Sequence, residues 1–155
     1  MLEVVMRYIR NYFIRDRYTG NFTISGGMIS PHDFLLEGQR FYVTGSFLND
    51  GVYTYHVDGV TNDLDSVVVD LKDESFTGTI FALAVPPTFI ALVQQIAEWV
   101  GKFGDVANSP YQSESFNGYS YAKASEGAGS GASGGSTWQD VFRSQLNEWR
   151  KVTFL

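Results

Sequence analysis

The spacing of hydrophobic residues changes near Gly20. Before it, Val5, Ile9 and Phe13 recur at helical intervals with charged and polar residues between them. This spacing predicts an amphipathic helix over residues 3–14. After it, apolar and β-branched residues alternate with polar ones, as they do in strands. The pattern therefore predicts a helix followed by a sheet.

Several segments between residues 20 and 84 have the composition of strands. The sequence Asn-Asp-Gly at Asn49–Gly51 is typical of a tight turn, and it separates "RFYVTGSF" from "VYTYHV". This arrangement predicts a hairpin over residues 40–57. The segments "SVVVDL" and "ESFTGTIFALAV" predict two further strands joined by the polar residues 72–75. Together these segments predict an antiparallel β-sheet or small barrel over about 20–84.

A helix is predicted to follow the sheet. Pro86 and Pro87 end the last strand, because proline lacks the backbone donor, and they suit the first turn of a helix. Apolar residues recur at helical spacing from Phe89 to Phe103, and Gly104 is a natural stop. The predicted central helix covers about 87–103.

Residues 105–136 differ from the rest in composition. Asn117 and Gly118 lie between "SESF" and "YSYA", a strong hairpin signal that predicts a β-arm. Residues 124–136 contain only Gly, Ala and Ser apart from Glu126, which predicts a flexible linker. The sequence therefore predicts an arm and a tether outside the core.

The C-terminal segment predicts a helix over about 137–150. Thr137 with Asp140 is a variant of the capping box. A stripe of large apolar residues then follows at helical spacing: Trp138, Phe142, Leu146 and Trp149. The whole chain is therefore predicted to be α+β, with a core domain at 1–104, the β-arm and linker at 105–136, and the helix and tail at 137–155.

Composition excludes several function classes. Among 155 residues the net charge is −6, and the 11 Lys and Arg are scattered, so no sequence-specific nucleic-acid binding is expected. The chain has no cysteine, which removes thiolate chemistry. Charges interrupt the N-terminal apolar runs, and prolines and glutamines interrupt the uncharged window 75–97, so neither a secretory signal nor a membrane span is expected.

Candidate chemistry is sparse. His32 and His56 are the two histidines, and both lie near turn residues, where an exposed histidine is the ordinary interpretation. "GASGG" at 131–135 matches a nucleophile elbow but lacks the flanking strand and helix. The acidic residues between Asp58 and Glu74 lack the ligand spacing of a calcium loop and fit a solvated sheet edge. We therefore expect no catalytic residue, no metal and no cofactor.

Four segments carry a family resemblance: "GQRFYVTGSFLNDGVYTY", "ESFTGTIFALAVPPTFIALVQQIAEW", "SPYQSESFNGYSYAK" and "TWQDVFRSQLNEWRK". Their order resembles head-to-tail connector proteins of tailed phages and of prophages of Gram-positive bacteria. The resemblance implies a non-enzymatic virion protein, made in the bacterial host cytoplasm and assembled in the neck as an adaptor ring of twelve copies. Its implied partners are itself, the portal protein and neighbouring head-closure or tail proteins, with no membrane.

Two alternatives stay open from the sequence. Within phages, the chain is alternatively a head-closure or tail-end component; outside them, it is a small cytosolic hydrolase or a ligand-binding β domain that uses His32 or His56. The aromatic arm and the C-terminal stripe pack either on their own domain or on a neighbouring subunit. The residues predicted for a subunit interface are Tyr111, Ser113, Phe116, Tyr119, Tyr121, Trp138, Phe142, Leu146 and Trp149.

Overall fold

The computed structural model describes residues 1–108 and 137–151. The chain divides into two compact units: residues 1–90 with Lys151, and the described residues between Ala91 and Arg150. The first unit contains a helix and a seven-stranded antiparallel sheet, and the second is helical. The predicted α+β class is therefore confirmed.

The N-terminal helix α1, Leu2–Ile9, is shorter than predicted. It ends at Arg10, which adopts the left-handed conformation with φ 59°, while the Asn11 amide N–H bonds back to the Met6 carbonyl at 3.0 Å. The Asn11 side chain then accepts a bond from the Phe13 N–H at 3.0 Å. The prediction of helix through residue 14 is wrong, because these turns redirect the chain into the first strand.

The sheet contains more strands than the sequence predicted, and it begins earlier. Its strands are β1 Ile14–Ser25, β2 Met28–Ser30, β3 Arg40–Thr44, β4 Gly51–His56, β5 Gly59–Thr61, β6 Val68–Val69 and β7 Glu74–Leu83. Their spatial order is β2-β1-β7-β3-β4-β5-β6. Pairing of Phe41 with Tyr53 and of Val43 with Gly51 confirms the predicted hairpin over 40–57.

Alternation along the strands gives the sheet two different faces. Phe41, Val43 and Ile80 point to one face, where they join a buried cluster with the rings of Phe22 and Phe76. The intervening positions on β1, β7 and β3 are mostly Thr, Ser, Asn and aromatic residues. One face of the sheet therefore forms the core of the first unit.

The two predicted strands "SVVVDL" and "ESFTGTIFALAV" are not neighbours. β6 covers only Val68–Val69 and pairs with β5 at one end of the sheet. β7 instead lies between β1 and β3 and pairs with both. Both segments therefore contain a strand, as predicted. The polar connection between them does not form a hairpin, because it runs from β6 at one end of the sheet to β7 between β1 and β3.

Helix α2, Pro87–Asn108, begins where predicted but continues past Gly104. Glycine inside a helix costs roughly 1 kcal/mol relative to alanine, which a helix of this length tolerates. Consequently residues 105–108 of the predicted arm are helical, and the rest of the predicted arm and linker lies outside the described residues.

The predicted helix over 137–150 is two short helices, α3 Trp138–Val141 and α4 Arg143–Asn147. Phe142 interrupts them with φ −104° and ψ 16°, which is outside the helical region. The predicted cap is confirmed, since Thr137 Oγ1 accepts a bond from the Asp140 N–H at 3.3 Å. In the two described stretches of chain, the structure contains no helix with the length and apolarity needed to cross a bilayer.

Candidate functional site

The sequence-predicted interface residues fall into two groups. Those of the arm, Tyr111 through Tyr121, lie outside the described residues. Those of the C-terminal segment are described: Trp138, Phe142 and Leu146 are buried within the single chain, and Trp149 is half-buried. Their role in contacts between subunits stays a prediction, and other surface features are needed to locate a site.

The most distinctive surface feature is the loop joining β3 to β4, residues 45–50, which we call the clamped loop. At its tip Phe47 is 97% exposed and Leu48 is 62% exposed. Large apolar side chains are normally buried, so two adjacent exposed ones at a loop tip are unusual. Their backbone, however, is tightly held.

Glu74, at the start of β7, is the main clamp. One carboxylate oxygen accepts a hydrogen bond from Ser46 Oγ, and the other accepts one from the Phe47 N–H at 2.8 Å. Ser46 Oγ in turn accepts bonds from the N–H groups of Leu48 at 3.1 Å and Asn49 at 2.8 Å. The bond from Ser46 is the largest of several that lower the pKa of Glu74, because each favours the ionised carboxylate.

Asn49 fixes the other end of the clamped loop. Its side chain is buried, donates to the Lys72 carbonyl at 3.0 Å and accepts from the Lys72 N–H at 2.8 Å. It also donates to Glu74 Oε1 at 2.8 Å. The Tyr53 hydroxyl donates to the Asn49 carbonyl at 2.8 Å, and burial raises the pKa of Tyr53 to about 12. The Asn49 side-chain amide therefore bonds to both backbone groups of Lys72, as a neighbouring strand would. It links the β3–β4 loop to the connection between β6 and β7.

This arrangement suits binding to a partner. A rigid loop loses little conformational entropy when a partner covers it, so exposed aromatic and leucine side chains on such a loop contribute efficiently to association. The sequence contains a signal for this loop: two large apolar residues, Phe47 and Leu48, stand between the turn residues Gly45-Ser46 and Asn49-Asp50-Gly51.

A second candidate is the histidine cluster of Glu37, His56 and Asp65. His56 ends β4, its Nδ1 meets Glu37 Oε2, and its Nε2 meets Asp65 Oδ1 at 2.7 Å. The Val57 N–H donates to Glu37 Oε1 at 2.9 Å, and Thr61 Oγ1 donates to Asp65 Oδ1 at 2.7 Å. The cluster therefore joins three separate connections, because the carboxylates come from the β2–β3 and β5–β6 loops.

His56 is in a structural rather than a catalytic arrangement. Both ring nitrogens face carboxylates, so the imidazolium form satisfies both bonds and no nitrogen is left to accept a proton from a nucleophile. His32 lies elsewhere, with its Nδ1 3.0 Å from the Tyr55 hydroxyl. The described residues contain no group of three His, Asp or Glu side chains suited to a metal ion. His56 is therefore not the ordinary exposed histidine that the sequence predicted, since Glu37 and Asp65 both bond to its ring.

Other acidic residues predicted to form a solvated edge also hold the fold together. Asp63 Oδ2 accepts bonds from the Glu3 N–H at 2.9 Å and from the Met1 amino group at 3.0 Å, which caps α1. Asp73 Oδ1 accepts one from the Gly26 N–H at 3.2 Å. Asp58 and Asp70 are exposed. The acidic segment is therefore partly internal scaffolding.

We predict that replacing His56 by glutamine removes a pH-dependent part of the stability. Bonds to Glu37 first, and then to Asp65, raise the pKa of His56 above 6.5, while its bonds lower the pKa values of both carboxylates. The histidine contribution is present below pH 6.5 and is lost as pH rises through the folded-state pKa. The carboxylate contributions are present above their unfolded pKa values, 4.5 and 3.8, and are lost on acidification.

Urea unfolding of wild type and His56→Gln at pH values from 4.5 to above 6.5 tests this prediction. The wild type should lose part of its unfolding free energy above pH 6.5, and the variant should show a smaller change. His32→Gln is the matched control, because it changes the only other histidine and leaves the cluster intact. Equal pH profiles for wild type and His56→Gln would show that the cluster is not a stabilising ion network.

Comparison with protein-family models, curated proteins and solved structures finds no match to this chain.

Proposed function

We propose that this chain is a non-catalytic structural subunit that assembles with copies of itself. The observation that carries the proposal is the clamped loop, whose bonds from Glu74 and Asn49 hold Phe47 and Leu48 in solvent. A side chain that is 97% exposed gains nothing from its own fold. Aromatic anchors with surrounding contacts dominate many protein interfaces. The loop is therefore the principal contact.

We further propose that the assembly is the head–tail connector of a tailed phage or prophage, a ring beneath the portal in the virion neck. The support is the order of the four segments that resemble connector proteins. A net charge of −6 also suits a channel through which DNA passes, because negatively charged protein does not attract the DNA phosphates. A head-closure or tail-end position is the alternative within the same virion.

The enzymatic alternative finds less support. A hydrolase using His56 needs a ring nitrogen directed at a nucleophile, and both nitrogens instead face Glu37 and Asp65. Thr61, the nearby hydroxyl, donates to Asp65 rather than to the imidazole. The histidine cluster is better explained as an ionic tie between loops.

We expect Phe47→Ser with Leu48→Ser to weaken self-association by about 30- to 1,000-fold. Truncating a buried anchor at an interface commonly costs about 2–4 kcal/mol, which corresponds to that range. Sedimentation velocity over a concentration series, with negative-stain microscopy for rings, gives the measurement. Thermal unfolding should change little, because both side chains lie outside the core.

Leu36→Ser with Phe103→Ser is the matched control, since Leu36 is as exposed as Leu48 and Phe103 is half-exposed. Self-association of this control should equal that of the wild type. A wild-type chain that stays monomeric at all concentrations would refute the assembly proposal. Absence of the protein from purified necks of the phage that encodes it would refute the connector assignment alone.

A further inference from the structure

A groove of about 450 Å³ lies beside the clamped loop. Residues of the neighbouring strands β1 and β7 form one side of it, and Phe47 lines it from the loop. Its volume is within the range of about 300–1,000 Å³ that is usual for small-molecule sites. All of its lining residues belong to the first compact unit, and none of them belongs to the histidine cluster. The groove is therefore a separate candidate binding site.

Exposed hydroxyl and amide side chains line the strand side of the groove. Thr77 Oγ1 donates to Asn21 Oδ1 at 2.6 Å, and Thr23 Oγ1 lies 3.4 Å from Ser75 Oγ. Each pair joins direct partners across β1 and β7, and the two pairs are two residues apart, which is about 7 Å along a strand. Hydroxyl groups both donate and accept hydrogen bonds, and the amide of Asn21 adds further donors. This side of the groove therefore offers several hydrogen bonds to a ligand.

The groove has no charge of its own on the described residues that line it, since none of them has an ionisable side chain. Glu74 begins β7 beside the groove, but its carboxylate accepts bonds from Ser46 Oγ and the Phe47 N–H. A phosphate or carboxylate ligand would need cationic partners, and the net charge of −6 opposes its approach. The lining therefore favours a neutral ligand that carries several hydroxyl groups.

Phe47 adds an aromatic surface to this polar wall. Its ring is almost fully exposed, and its backbone is held by Glu74. The face of an aromatic ring is electron-rich and attracts polarised C–H groups. A pyranose ring has a face of C–H groups and a rim of hydroxyl groups, so it matches both the Phe47 ring and the hydroxyl groups of the strands. Few other neutral ligands combine these two surfaces.

An added peptide strand fits the groove less well. β3 pairs with β7 only at residues 79–82, and beyond them the clamped loop lies beside β7. The Cβ position of Gly45 is 3.1 Å from the Thr77 carbonyl oxygen, and the Phe47 N–H bonds to Glu74. The loop therefore already occupies the part of the β7 edge that a peptide would need.

We propose that this groove binds a neutral saccharide, with the Phe47 ring against the C–H face of one pyranose and with Asn21 and Thr77 bonded to its hydroxyl groups. This inference goes beyond the proposed self-assembly and does not depend on it. Both functions use Phe47, so a bound saccharide and a neighbouring subunit that covers the ring exclude each other.

Saturation-transfer difference NMR on the full chain with maltose, cellobiose, lactose and N,N′-diacetylchitobiose tests the inference. We expect transfer to the ring C–H protons of at least one of these disaccharides. Phe47→Ser and, separately, Asn21→Ala with Thr77→Ala should weaken its binding by at least about tenfold, because each removes one of the two surfaces. Digalacturonate, an acidic disaccharide, should bind at least about tenfold more weakly than the neutral one.

Thr19→Ala with Thr79→Ala is the matched control, because these hydroxyls form the next exposed pair on the same strands, 2.9 Å apart, and do not line the groove. Leu48→Ser removes the other exposed apolar side chain of the clamped loop. Both controls should bind the disaccharide as the wild type does, and circular dichroism establishes that each variant is folded.

The inference is wrong if none of the four disaccharides receives transfer, if Phe47→Ser binds as well as the wild type, or if digalacturonate binds equally well. A monomeric wild type that binds a disaccharide would refute self-assembly alone.

Discussion

Replacing Gly78 by alanine is expected to lower the free energy of unfolding by at least about 3 kcal/mol. A Cβ atom at this position would lie 2.2 Å from the Thr44 carbonyl oxygen and 3.1 Å from the Phe76 ring. The backbone cannot relax easily, because Gly45 is also close, with its own Cβ position 2.8 Å from the Gly78 Cα. Chemical unfolding gives the measurement.

Gly20→Ala is the matched control for this prediction. Gly20 is the direct partner of Gly78 across the β1–β7 pair, yet a Cβ there meets no atom within 4 Å. Its substitution should therefore be nearly neutral, or slightly stabilising because glycine is unfavourable in strands. If both substitutions cost the same, the close approach of β7 to the start of the clamped loop is not what requires Gly78.

This close approach also connects the fold to the proposed contact. Gly45 has φ +90°, a conformation that favours glycine, and it begins the clamped loop immediately after β3. Thr44 Oγ1 donates to the Thr79 carbonyl at 2.9 Å beside it. The position of Phe47 therefore depends on backbone packing at its base as well as on the carboxylate of Glu74.

The sequence predicted element types where the periodicity was long. Alternation identified β3 and β4, and the turn residues Asn49–Gly51 predicted their pairing, because turn geometry and strand register are both local properties. The end of α1 was not predictable in the same way. Residues Tyr12 and Phe13 continue the apolar spacing. The helix stops at Arg10 in the left-handed conformation, and arginine is not one of the residues, glycine and asparagine, that usually mark such an end.

The order of the strands in the sheet could not be predicted from local sequence patterns. β7 pairs with β1, some 60 residues away, and both strands carry threonines at the exposed positions, as in the pair Thr19 and Thr79 at 2.9 Å. Nothing in either segment specifies that partner. The same limit hid the histidine cluster, since Glu37 and Asp65 are separated from His56 by loops whose paths depend on the whole sheet.

The positions of the acidic residues in the sequence predicted only part of their role in the fold. The acidic residues between Asp58 and Glu74 were predicted to form a solvated edge, but four of their carboxylates bond to donors of other elements. Those donors are N–H groups at a helix start and in loops, which no sequence spacing reveals. Only the contact map of the folded sheet shows which carboxylates remain for a partner.

We expect Trp138→Ala with Phe142→Ala to destabilise the chain strongly. Sequence alone predicted that these aromatics anchor a neighbouring subunit, so that their removal weakens assembly and spares the core. In the structure both are more than nine-tenths buried within the single chain. Phe or Trp to Ala at buried positions costs about 3–5 kcal/mol each, so unfolding should occur at much lower urea concentration.

Val141→Ala is the control, because Val141 belongs to the same short helix and is 45% exposed. Its effect should be within about 0.5 kcal/mol, as for most surface substitutions. Parallel urea unfolding and sedimentation separate the two roles of the aromatic pair. If the double variant unfolds at the wild-type urea concentration but no longer assembles, Trp138 and Phe142 act between subunits, and the C-terminal segment must leave its buried position to reach a neighbour.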